Sequence, residues 1–177
     1  MLDIILILAA IAVIIFITVA AMQPSDFRIT RTATISAPAS TVFAQVNDLQ
    51  KWDAWSPWAK LDPDAKNSFE GSASGVGAIM RWAGNNKVGQ GSMTIIESHP
   101  GEFIRFKLEF LKPFAATNTA EFTFNYENDQ TTVTWSMYGK SNFTGKAIGL
   151  IMSCEKMVGG QFEKGLAALK SVVEGAR

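Results

Sequence analysis

The side chains able to do covalent or acid–base chemistry are few, and their spacing keeps them apart. His99 is the sole histidine and sits in Ser98-His99-Pro100-Gly101, which reads as a hairpin turn. Cys154 is the sole cysteine and falls on an apolar stripe, flanked by Ser153 and Glu155. A nucleophilic thiol wants a cationic neighbour, so a buried, inert thiol is the expectation there. No Ser-His-Asp set can be assembled around one turn histidine, and one Cys with one His exclude a zinc site of the Cys/His kind. The glycines of "GSASGVGAIMRWAGNNKVGQG" lack the Gly-Lys-Ser/Thr ending and following helix of a phosphate loop, and read as strand bends and hairpin turns. Glu109 and Glu121 fall beside Lys107 and Arg105 on a polar strand face, so paired-carboxylate hydrolysis is unsupported. Chemistry on a bound ring would need a polar group placed over it, and Arg81, Tyr126 and Tyr138 are the suppliers the sequence offers. Of these, Arg81 reads better as a surface residue. No motif calls for a metal or a cofactor.

The heptapeptide "WDAWSPW" places Trp52, Trp55 and Trp58 at three-residue steps, three of only five tryptophans. Base stacking would require a basic stripe for the phosphates. The chain has 16 basic and 16 acidic residues with no block of like charge, so no nucleic-acid partner is expected. Packing against an end wall is the leading expectation for these rings, and lining a pocket mouth the second.

What positions these residues is legible in the periodicity. From Ile4 to Met22, "IILILAAIAVIIFITVAAM" carries no charge. At ~1.5 Å per residue a helix of that length reaches close to the ~30 Å bilayer core, which suits a single transmembrane anchor over residues 1–22. A cleaved signal peptide is the alternative, disfavoured by the missing basic n-region and the long apolar run. Arg28 and Arg31 follow the span closely, which weakly favours a cytoplasmic C-terminal domain. Residues 23–25 form a short linker, and 26–177 read as one domain.

In that domain "FRITRTATI" alternates as a strand, and "SAPASTVFAQVNDL" carries helix-start signals with Val42, Phe43 and Val46 on one face. Five further strands follow, "AIMRWAG", "KVGQGSMTIIES", "EFIRFKLEF", "TAEFTFNYE" and "TTVTWSMYG", separated by turns too short for parallel crossovers. Ile104, Phe106, Leu108 and Phe110 share one face; so do Ala120, Phe122, Phe124 and Tyr126, and then Val133, Trp135 and Met137. A sheet with one aromatic face needs a cover. The segment from Lys146 to Glu174 supplies it as one long amphipathic helix, with Ile151, Cys154, Val158, Phe162, Leu166, Leu169 and Val173 on its stripe. Gly159-Gly160 within it suggests a kink or a close approach. The expected fold is α+β, a curved antiparallel sheet wrapped around a long C-terminal helix in a helix-grip arrangement, preceded by one transmembrane helix.

"ITRTATISAPASTVFAQVNDLQKWDAWSPW" resembles the opening of the START-like SRPBCC superfamily in its polyketide cyclase/dehydrase branch. "GVGAIMRWAGN", "VGQGSMTI" and "FEKGLAALK" are similar to the same branch, so the resemblance covers nearly everything after residue 26. It implies a deep apolar cavity between sheet and helix, in a superfamily of lipid carriers, receptors, aromatic cyclases and chaperone cofactors. The residues alone leave a filled core and a hollow equally open; the resemblance favours the hollow. Its expected wall is Phe106, Leu108, Phe122, Phe124, Trp135 and Met137. Ile151 and Val158 would face it from the helix, and Trp82 and Tyr126 would be its polar-tipped contacts. The implied activity is binding or transport of a hydrophobic, lipid-like small molecule at a membrane. The alternatives are a cyclase or dehydratase acting on an aromatic or polyketide-like substrate, and a protein-interaction module.

Overall fold

The computed structural model describes residues 1–151 and 153–175. An apolar helix α1 (Leu2–Met22) leads directly into strand β1 (Asp26–Ile35). Helix α2 (Ala39–Val46) and a 3₁₀ turn (Leu49–Ala54) follow. The rest of the sheet is β2 (Lys66–Gly71), β3 (Ala78–Ala83), β4 (Gln90–His99), β5 (Phe103–Lys112), β6 (Ala116–Glu127) and β7 (Gln130–Lys140). Two C-terminal helices close the chain, α3 (Phe143–Ile151) and α4 (Cys154–Gly175).

All seven strands form one sheet in the order β1-β7-β6-β5-β4-β3-β2, and every pairing is antiparallel. The short turns made this arrangement the expected one. At the β6–β7 turn Asn128 and Asp129 both adopt positive φ (51° and 60°), the backbone that a tight two-residue hairpin requires. The aromatic faces read from the sequence are the inner face: Ile104, Phe106, Ala120, Phe122, Phe124, Val133 and Trp135 are buried. Helix α4 packs along β1, with Phe162, Leu166, Leu169 and Val173 in the core.

Three features depart from the sequence reading. Strand β2 was not anticipated, because all six of its residues are exposed and an edge strand wet on both faces shows no alternation. The C-terminal segment is two helices rather than one. Asn142 Oδ1 accepts from Gly145 N at the start of α3, and Ser153 Oγ accepts from Lys156 N at the start of α4, so each helix has its own N-cap. The glycine pair does not interrupt the helix: α4 runs through both, and Gly159 is instead a close approach, since a Cβ there would meet the Arg31 guanidinium. The side chain of Cys154 lies outside the described residues.

The register orders the sheet into two ends. Asp26, Lys140, Asn118, Lys112, Gln90, Ala83 and Lys66 lie at one end, next to the exit of α1. Ile35 with Thr131, and Phe103 with Thr123 and His99, mark the other. Helix α4 starts at the first end and finishes at the second, where Glu174 accepts from Ser36 N at 2.7 Å and Lys170 donates to Thr34 O at 2.8 Å.

Candidate functional site

The space between sheet and α4 is filled at one end and hollow at the other. At the far end Phe122, Phe124 and Val133 meet Phe43 of α2 and Leu166 and Leu169 of α4, all 8% exposed or less. Trp52 and Trp55 wedge into this packing from the 3₁₀ turn and its end. Their indole N–H groups are satisfied by Val46 O (2.9 Å) and Gln45 O (3.3 Å), which fixes the ring orientations. Trp52 stands edge-on to Phe106 at 5.5 Å and to Phe122 at 5.9 Å between centroids. Trp55 is packed wholly inside the filled part, Trp52 packs there and also borders the hollow, and Trp58 turns to the hollow side.

At the end nearest α1 lies a cavity of about 480 Å³. That volume falls in the range of small-molecule sites. Its walls are mostly thioethers and rings, Met80, Met93, Met137, Phe110 and Phe162 among them, beside the aliphatic Leu108, with Ala120 and Val158 leaving the room. Trp135 stacks on Phe162 at 4.0 Å with the planes 10° apart, and on Phe122 at 4.7 Å, so one indole separates hollow from solid. Its Nε1 is the one buried side-chain donor or acceptor without a hydrogen-bond partner among the described residues. The rings around it offer π faces, which are weaker acceptors than a carbonyl.

The polar lining is Asp53, Ser56, Asp62 and Asn67; Asp53 and Asn67 are exposed and mark the mouth, Asp62 is half-buried and Ser56 is buried. Asp53 accepts from Asn67 Nδ2 at 3.2 Å, and Asp62 accepts from Asn85 N at 2.6 Å, so each carboxylate is held by one bond. No lysine, arginine or histidine lines the cavity among the described residues.

The ten residues expected to form a site divide evenly. Trp82, Leu108, Trp135, Met137 and Val158 do line the cavity. Phe106 and Phe122 are fully buried and Phe124 nearly so, inside the filled part rather than on the hollow. Tyr126 lies close to the β6–β7 turn, 46% exposed, and its hydroxyl donates to Asp129. Ile151 ends α3 and is 76% exposed, because the helix stripe that was extended through it breaks before α4. Sequence reasoning missed the 53–67 segment and the Met80–Met93 pair. Met80 and Met93 are directly paired in the β3–β4 register, and the alternation of β3 and β4 carried that signal.

The groups weighed for chemistry are elsewhere. Arg81 pairs with Glu70 at 3.0 Å, about half exposed. Tyr138 is on the outer face, donating to Glu121 at 2.7 Å beneath the Arg28 guanidinium. Burial works against the charge of Glu121, but hydrogen bonds from Tyr138 and Arg105 outweigh it and hold the carboxyl below its ordinary range. Burial and the Glu121 contact together raise Tyr138. His99 and Arg105 both bind Glu97 in the same surface network. Arg31 reaches from β1 to Glu155 (2.7 Å) and Glu163 (2.5 Å) on α4. These contacts, Glu155 first, raise its guanidinium above the usual value. Arg28 and Arg31 are thus both engaged by the fold, Arg28 with Glu121 and the Tyr138 ring and Arg31 with α4.

α1 is long and apolar enough to cross a membrane, and little of it is buried. No curated protein matches the chain. Solved structures share its fold. A protein of Mesorhizobium loti aligns with TM-score 0.64 at 10% identity over 85% of this chain and 99% of its own. One from Chromobacterium violaceum gives 0.60 at 17% over 86% and 99%, and the Aha1 dimer of Colwellia psychrerythraea gives 0.60 at 15% over 84% and 96%. A family model described as polyketide cyclase / dehydrase and lipid transport matches residues 26–174, and the chain belongs to that family.

Proposed function

We propose that the protein binds and carries a hydrophobic, lipid-like small molecule in this cavity while α1 holds it at a membrane. In this reading residues 1–22 are the anchor, 23–25 the linker and 26–177 the binding domain. Trp82, Leu108, Trp135, Met137 and Val158 are the ligand contacts carried over from the sequence, joined by Trp58, Met80 and Phe162. The observation that carries the reading is the 480 Å³ hollow walled by rings and thioethers inside a domain whose other half is filled. The polar lining offers carboxylates and an amide but no cation among the described residues, so it suits a ligand with an uncharged or hydroxyl-bearing end better than a fatty-acid anion.

The cyclase or dehydratase alternative loses its suppliers: Arg81, Tyr126 and Tyr138 all point away from the hollow. The test is to express residues 24–177, examine organic extracts by mass spectrometry, and titrate neutral lipids and fatty acids by tryptophan fluorescence. Trp58, Trp82 and Trp135 line the hollow and report on its filling. A copurified neutral lipid, or fluorescence that saturates with neutral but not anionic ligands, is expected. An empty domain whose fluorescence is indifferent to every lipid class would refute the reading.

A further inference from the structure

Helix α3 has no place in the core. It is nine residues long, five of them Phe143, Ala147, Ile148, Leu150 and Ile151, yet none of its residues is buried. Phe143 is 50% and Ile151 76% exposed. A helix this short is not stable alone in water, and this one is covered on part of its surface only. Ala147 and Ile148 are half-buried, and Phe143, Leu150 and Ile151 are exposed. Its contact is α1: the two pack together, and Ala20, two residues before the end of α1, is the one residue of that helix that is buried. α3 therefore sits where α1 leaves the domain.

The hairpin between β5 and β6 is at the same end of the sheet, since Lys112 pairs with Gln90 and Ala116 with Phe110. It exposes Leu111 (62%) and Phe114 (56%). Lys112, Lys140 and Lys146 stand among these apolar side chains, as cations do at a headgroup layer, with Asp26 opposite Lys140 in register. The cavity is at this end too: Trp82 and Phe110 line it from the last residues of β3 and β5, and Val88 from the turn between β3 and β4. The β3–β4 turn at this end, Gly84-Asn85-Asn86-Lys87, is polar, so the exposed apolar groups of this surface are confined to α3 and the β5–β6 hairpin. At the opposite end the turns are Gly101-Glu102 and Asn128-Asp129, with Val76 and Tyr126 exposed.

We propose that α3 and the Leu111–Phe114 hairpin insert into the interfacial layer of a lipid bilayer. The hollow end of the domain then faces the membrane, and the ligand passes between bilayer and cavity without crossing bulk water. This rests on the reading of α1 as a membrane anchor. A bilayer is the occupant because α1, continuous with the surface and packed on α3, already requires one.

The test uses the full chain in a Cys154→Ser background, with single cysteines Phe114→Cys, Leu150→Cys, Asn128→Cys or Ile11→Cys. Each carries an environment-sensitive fluorophore and is reconstituted into phosphatidylcholine–phosphatidylglycerol vesicles with or without spin-labelled lipid. Quenching at Phe114 and Leu150 by shallow spin labels, several-fold above that at Asn128, is expected, with Ile11 quenched by deep ones. If Ile11 is quenched while Phe114 and Leu150 match Asn128, the docking proposal is overturned and the anchor stands. An unquenched Ile11 removes the anchor reading and this proposal with it. Blue-shifted but unquenched labels at Phe114 and Leu150 mean that protein, such as a second copy, covers the surface, which also overturns it.

Discussion

The two halves of the interior face the same sheet and the same helix, yet one is packed and the other is not. Reading β6 towards the α1 end gives Phe124, Phe122, Ala120; β7 gives Val133, Trp135, Met137; α4 gives Leu169, Leu166, Phe162, Val158. The inward-facing period is unbroken along all three, two residues in the strands and three or four in the helix, and only side-chain size and stiffness change. Large rings interlock where Trp52 and Trp55 are added from the 3₁₀ turn. Alanine, valine and unbranched methionines leave a gap where no such plug arrives. Periodicity thus builds the wall, and volume decides whether the wall encloses anything.

The largest effect expected from that difference is at Phe122. Phe122→Ala removes a fully buried ring touching Trp52, Trp55, Phe106 and Trp135, and should cost about 3–5 kcal/mol in urea denaturation. A loss under ~1 kcal/mol would mean that the filled half is not filled. Gly165 lies on the boundary. A Cβ there would stand 2.8 Å from the Trp135 ring and 3.0 Å from Pro57, both held by their surroundings, so Gly165→Ala should destabilise by about 1–3 kcal/mol. No measurable change would show that α4 can lift from the sheet at that point.

Such positions also explain what the sequence disclosed. The fold was legible because alternation in β5, β6 and β7 and the three-four spacing in α4 report burial directly. The cavity was half legible. Leu108, Trp135, Met137, Trp82 and Val158 follow from facing inwards, but so do Phe106, Phe122 and Phe124, and facing inwards does not say which inward rings meet each other. That depends on where Trp52 and Trp55 enter, a contact between segments far apart in the chain. The polar lining residues Asp53, Asp62 and Asn67 come from a stretch with no periodicity to read, and Ile151 was misplaced by carrying one helical stripe through a break that Ser153 caps.

Ala120 sharpens the comparison from the hollow side. It is 3% exposed and faces the cavity between Phe106 and Met137 in register. In a filled core Ala→Phe would overpack and cost ~1–3 kcal/mol, occasionally more. Here the ring has somewhere to go, so Ala120→Phe should change stability by less than about 1 kcal/mol. Affinity for a neutral lipid probe should fall more than about tenfold, a loss of ~1.4 kcal/mol in binding. A destabilised variant that still binds the probe would place the vacancy elsewhere.

The smallest effect concerns how the lid over the hollow is held. Glu155, Gly159 and Glu163 follow one another at four-residue steps on α4, and the Arg31 guanidinium lies across the glycine to reach both acids. Gly159→Ala gains up to ~1 kcal/mol of helix propensity. The new methyl also occupies the place of the guanidinium, which can swing away because it is the far end of a flexible side chain. Leu166, Leu169 and Val173 still pin the far half of α4, so global stability should stay level or rise slightly. Val158 and Phe162, on the adjacent turn, lose the strap that keeps them over the cavity. Release of a bound probe should therefore quicken while the unfolding midpoint does not fall, and Glu155→Gln with Glu163→Gln should reproduce the faster release without the gain in helix propensity. Packing would then govern one half of α4 and an ion pair the other; a release rate indifferent to all three substitutions would leave packing in charge of both.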